Sequence, residues 1–207
     1  DGDVVVVQST DARVQAFDVS TGRARWSYKA SQAVLTLRGN SSPVIQAGSV
    51  FVAFDNGKVA VLNANTGLMQ WERRFIVPNG RTELERIIDV QADPVLSSTD
   101  VIVASYQGAI VDIAQDSGQV KWEQKASVVH SMATADDVIY MVEGNDTVRA
   151  LSMATGNEIW KAEGFDNRRL SSPAVIGAYL AVADKQGYIH LLKRADGSYA
   201  GRYSIGG

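Results

Sequence analysis

The chain has 207 residues, is 45% hydrophobic and 21% charged, and sets 20 Lys and Arg against 23 Asp and Glu for a net charge of −3. That is the composition of a globular domain able to bury a sizeable core, without the basic excess a nucleic-acid binder needs to neutralise phosphates. With no Cys there are no disulfides, thiolate metal sites or cysteine nucleophiles, and no apolar run approaches the roughly 20 residues of a membrane helix.

In chain order, the first apolar runs are Val4 to Gln8 and Arg13 to Phe17, followed by Thr21-Gly22 and then Trp26. The same order returns as Val50 to Phe54, a joint at Asp55-Asn56-Gly57, Lys58 to Leu62, Thr66-Gly67 and Trp71. It returns again as Val101 to Ser105, Ala109 to Ile113, Ser117-Gly118 and Trp122, and as Val138 to Val142, Val148 to Leu151, Thr155-Gly156 and Trp160. A degenerate copy closes the series: Tyr179 to Ala183, Tyr188 to Leu192 and Asp196-Gly197, with Gly201 in the Trp position and Tyr203 the nearest aromatic. Paired runs joined by residues that tolerate positive φ read as β-hairpins. Short strands starting at proline, Ser41 to Ile45, Ala92 to Leu96 and Ser171 to Val175, precede three of them, where a missing N–H costs least.

The expected fold is therefore all-β: a β-propeller of four-stranded antiparallel blades, one partial domain over 1–207 with repeats at about 1–28, 41–74, 92–125, 130–162 and 171–205. In each repeat Gly relieves a left-handed turn between the third and fourth strands, and Trp lands on the fourth strand. Its flat ring suits the gap between sheets and its indole N–H needs a carbonyl, so Trp26, Trp71, Trp122 and Trp160 are expected to be largely buried inter-blade anchors. The first repeat starts at its second strand and no spare strand follows the last, so an open series of about five blades is expected.

Catalytic signals are absent. The two histidines read as structural, His130 at the start of a strand and His190 in the middle of one. No H-E-x-x-H, G-x-S-x-G or P-loop pattern occurs, and Asp55-Asn56-Gly57, Asp136-Asp137 and Asp184 to Gly187 lack calcium-loop spacing and read as turns. No metal or cofactor is expected. Two connections between repeats are long, Lys29 to Gly39 and Phe75 to Gln91. Propeller topology puts them on one rim as neighbours. Their charges fit either solvated loops or a binding surface, and Leu35 and Leu37 fit either packing under the rim or exposed anchors.

Ala16-x-Asp18-x-x-Thr21-Gly22-x-x-x-Trp26 is similar to the tryptophan-docking motif of quinoprotein-like propellers. Leu35 to Pro43, Thr82 to Val90 and Gly187 to His190 resemble the BamB family, the lipoprotein propellers of the outer-membrane β-barrel assembly machinery, and the resemblance covers essentially the whole chain. It implies an eight-bladed ring of which about five blades are here, and a non-enzymatic scaffold at the periplasmic face of the outer membrane, held by a lipid anchor outside this sequence. It further implies binding to a POTRA domain of BamA and contact with nascent β-barrel proteins. Carried over residue by residue, it nominates Leu35, Leu37, Arg38, Asp89 and Gln91 as the BamA-binding set, with Gln91 standing where the family has a second Asp. The alternatives are a quinoprotein-like enzyme, whose calcium-binding acidic cluster and adjacent cysteines find no match here, and a generic propeller adaptor.

Overall fold

The structure, a computed structural model, describes residues 2–30, 41–75, 90 and 92–205. Among the described residues nineteen strands form five antiparallel sheets, each pairing its strands in chain order. The first sheet has β1 (Val4–Gln8), β2 (Arg13–Asp18) and β3 (Ala24–Lys29), and the second has β4 (Val44–Gln46), β5 (Ser49–Ala53), β6 (Lys58–Asn63) and β7 (Met69–Arg74). The third comprises β8 (Val95–Leu96), β9 (Asp100–Ala104), β10 (Gly108–Ala114) and β11 (Val120–Ala126). The fourth comprises β12 (Ala133–Ala135), β13 (Val138–Val142), β14 (Val148–Ser152) and β15 (Glu158–Ala162). The fifth comprises β16 (Ala174–Ile176), β17 (Tyr179–Ala183), β18 (Tyr188–Lys193) and β19 (Tyr199–Ser204). The chain forms two compact units, Asp1–Ala126 with the first three sheets and Ser127–Gly207 with the last two.

Strands in the middle of a sheet that packs on both faces must be apolar throughout, and those at its outer edge need not be. In β5, Val50 and Val52 join Ala12, Val14 and Leu62 in one core, while Phe51 and Ala53 turn to the other face and pack with Val101, Val103, Val111 and Ile113. The second unit repeats the arrangement with Tyr140, Val142 and Val148 against Leu180, Val182 and Leu192. The outer strand β7 leaves Met69, Gln70, Arg73 and Arg74 exposed.

All the expected hairpins form, with ends within a residue or two. The exception in the histidine assignment is His130, which lies in a bend between an isolated bridge, Val128 with Glu143, and β12. The strand starts later because Ala133-Thr134-Ala135 is the segment that pairs with Val138 to Tyr140. His190 lies within β18 as expected and is 2% exposed.

The turn between β4 and β5 has two residues, Ala47 and Gly48, both with positive φ (48° and 75°). Such turns favour Asn-Gly, because an L-alanine pays a steric cost in the left-handed region. Ala47→Asn is expected to stabilise the first unit by about 0.5 kcal/mol, measured as a higher denaturant midpoint with an unchanged slope.

Candidate partner surface

The repeated turn is built from one set of bonds. In the first sheet the Asp18 carboxylate accepts the backbone N–H of Ser20 and Thr21, and Gly22 donates its N–H to the Asp18 carbonyl at 2.8 Å. Asn63 does the same for Asn65, Thr66 and Gly67. Onto the turns of the second, third and fifth sheets the preceding sheet sets its tryptophan. Nε1–H of Trp26 donates to Ala64, that of Trp71 to Gln115 and that of Trp160 to Arg194, each at 2.8 Å from the carbonyl oxygen. Each acceptor stands three residues before the turn glycine. The ring lies so close that a Cβ on Gly67 would sit 2.6 Å from Trp26, and one on Gly197 would sit 2.5 Å from Trp160. The glycines are thus required twice, for the left-handed backbone and for the ring above it.

Trp160 is 8% exposed, whereas Trp26, Trp71 and Trp122 are only partly buried. None of the four rings is mostly exposed. The fourth strand is the edge of its sheet, so a ring covering the next turn can still leave atoms in water.

Leu35, Leu37, Arg38, Asp89 and Gln91 lie outside the described residues. The described ends of their two connections are fastened to one rim of the first unit. Ala30 donates its N–H to the Ala12 carbonyl, Phe75 donates to Gly57, and the Ser41 hydroxyl donates to Ala53, so all three bond the tips of second-to-third-strand hairpins. Val90 is buried in the core shared by the second and third sheets. The Ser42 N–H donates to the Asp93 carboxylate and directly joins the residues at which the two connections return to their sheets.

In the second unit the corresponding rim is organised by a buried carboxylate that sequence reading treated as an ordinary turn residue. Asp184 Oδ1 accepts the N–H groups of Gln186 (2.9 Å) and Tyr188 (3.0 Å). Oδ2 accepts Arg168 Nη1 at 2.8 Å and His190 Nε2 at 2.9 Å. Burial pushes the Asp184 carboxyl up, but the bonds from His190, Tyr188, Arg168 and Gln186 outweigh it and hold the group well below the usual carboxylate range. An ionised carboxylate can only accept, so Nε2 carries the imidazole hydrogen. The Arg168–Asp184 pair thereby ties the connection after β15 to the hairpin of the fifth sheet. Its signal in the sequence is only an Asp four residues before a strand tyrosine.

The family model described as "Outer membrane protein assembly factor BamB" matches residues 1–162. The relative of that name from Bordetella pertussis is 35% identical over 206 residues, covering 99% of this chain and 53% of the relative. The one from Shewanella oneidensis is 34% identical over 203 residues, covering 98% and 51%. The chain spans about half the length of these curated relatives. Among solved structures, BamB from Moraxella catarrhalis superposes with a TM-score of 0.90 at 25% identity, over 100% of this chain and 62% of that one. A europium-containing methanol dehydrogenase superposes with a TM-score of 0.82 at 14% identity, over 99% of this chain and 50% of that one, a likeness of fold alone. The five sheets are propeller blades, and the chain belongs to the BamB family of outer membrane protein assembly factors.

Proposed function

We propose that this chain is part of a non-enzymatic scaffold at the periplasmic face of the outer membrane that binds a POTRA domain of BamA and assists the assembly of β-barrel proteins. Family membership carries the reading, and the rim geometry supports it: the two long connections leave neighbouring sheets and their ends meet at the Ser42–Asp93 bond. Leu35 and Leu37 supply apolar anchors, Arg38 and Asp89 orient the partner, and Gln91 contributes a neutral polar contact. That mixture of buried anchors and flanking charge is typical of a protein interface.

The test is the affinity of the full chain for POTRA domains. Arg38→Glu is expected to weaken binding tenfold or more, because it sets an anion against groups chosen to meet a guanidinium. Arg23→Glu is the control: Arg23 is exposed in a third-to-fourth-strand turn, at the opposite end of its sheet from Ala12 and Ala30. Equal losses in the two variants, or undiminished binding by Arg38→Glu with an unchanged circular dichroism spectrum, would move the interface elsewhere.

A further inference from the structure

Between the two sheets of the second unit lies a cleft of about 400 Å3 that the partner surface does not use. One wall is a single face of the β18–β19 pair, because His190 stands opposite Arg202 and Leu192 opposite Tyr199 in the register. The other wall runs from Ala162 at the end of β15 to Phe165 in the connection that follows. Phe165 sets its ring edge to face with His190 at 5.3 Å between centroids, and Leu192 is 1% exposed, so the floor is apolar and aromatic. Tyr199 and Arg202 are exposed at the mouth.

The cleft exists because one residue is small. The residue two after Trp26 is Tyr28, whose hydroxyl crosses to the next sheet and donates to Glu72 at 2.5 Å, where Lys58 also bonds. The residue two after Trp71 is Arg73, which crosses to the Gly118 carbonyl at 3.4 Å. The residue two after Trp160 is Ala162, and it reaches nothing comparable. Arg202 occupies the place of Glu72, one residue past the Trp position, and has no carboxylate partner among the described residues. Its guanidinium lies over the Tyr188 ring, 4.7 Å from the centroid.

Charge defines the occupant. Of the other ionised groups at the cleft, Arg168 is paired with Asp184 at 2.8 Å and Glu163 with Lys161 at 2.8 Å. That leaves one uncompensated positive charge, on Arg202, above an aromatic floor. A monoanion balances it.

We propose that this cleft binds an aryl carboxylate, with its ring against Phe165, Leu192 and His190 and its carboxylate on the fork of Arg202. The ring and acid can belong to one small molecule or to neighbouring Phe and Glu side chains on a peptide. The test is a titration of the isotope-labelled full chain, followed by NMR, with 3-phenylpropionate, its neutral amide, and a peptide capped at both ends that carries an internal Glu-Phe. The acid is expected to give saturable shifts at Phe165, His190 and Arg202, and the amide to bind at least tenfold more weakly. Shifts of the same residues by the peptide alone support the site and assign it a peptide ligand. Arg202→Gln should weaken binding at least tenfold, and Ala162→Tyr should abolish it by filling the cleft as Tyr28 fills its own gap, with both variants keeping the dispersed spectrum of the parent. No saturable shift with acid or peptide, equal binding of the amide, or binding unchanged in a folded Ala162→Tyr variant would overturn the proposal.

Discussion

Trp160→Ala is expected to destabilise the second unit by about 3–5 kcal/mol, the range for deleting a large aromatic side chain from a packed site. The ring is 8% exposed, donates to Arg194 at 2.8 Å and packs 5.9 Å from Tyr140 between centroids, so its removal opens the space between two sheets. The glycines beneath the rings supply an independent check in the first unit. Gly22 and Gly67 occupy the same turn position with nearly the same φ, 68° and 70°, but a Cβ on Gly22 meets nothing within 4 Å and one on Gly67 meets Trp26 at 2.6 Å. Gly22→Ala should cost about 1–2 kcal/mol for its left-handed backbone, and Gly67→Ala about 1–3 kcal/mol more for overpacking. In a double-mutant cycle, Trp26→Ala should remove most of that excess, since it vacates the space the methyl needs. Denaturant unfolding of the native chain, the three single variants and the double variant measures it. Equal losses for the two glycine variants would show that the ring is not seated on the turn.

The repeat was legible because each of its parts answers a local physical need: glycine for a left-handed turn, hydroxyl or amide for free N–H groups, apolar runs for strands covered on both faces. The tryptophan's role was legible for the same reason, since a large ring with one N–H has few places to go. What lay under the ring was not, because Trp26 bonds a carbonyl 38 residues away and spacing alone does not say which atom faces which. β12 gave little signal, since Ala133-Thr134-Ala135 has no strand-forming character beyond one threonine and is held by pairing with β13. Asp184 passed for a turn former because it is one; only the fold brings Arg168 and His190 onto its other oxygen. Ala162 carried no signal by itself, and its smallness matters only once Tyr28 and Arg73 are seen in its place in other sheets. Only the family resemblance singles out Leu35, Leu37, Arg38, Asp89 and Gln91, and the described structure reaches only the ends of their connections.

Asp112 should make the protein less stable at neutral pH than at pH 4 to 5, and Asp112→Asn should remove that loss. The residue sits in the apolar run Ala109 to Ile113, where it passed unnoticed, on the central strand β10. It is 2% exposed, and its Oδ1 has no hydrogen-bond partner among the described residues. Burial and the nearby Asp100 carboxylate raise its pKa to about 6, against a smaller opposing effect of Lys121, which pairs with Asp100. In the unfolded chain the same carboxyl ionises near its ordinary value of 3.8. Between these two values the folded state holds a proton that the unfolded state has released, so stability falls as pH rises and stays low above about 6. A displacement of about two units corresponds to about 3 kcal/mol at most. Asparagine has the same shape and no charge to bury, so it should gain about 2–3 kcal/mol over the native chain at pH 8 and only about 1 kcal/mol at pH 4.5. Denaturant unfolding of both proteins at the two pH values decides it. A gain of equal size at both would mean that packing rather than ionisation is what the substitution changes, and the absence of any gain at pH 8 would show that Asp112 is ionised at little cost in the folded protein.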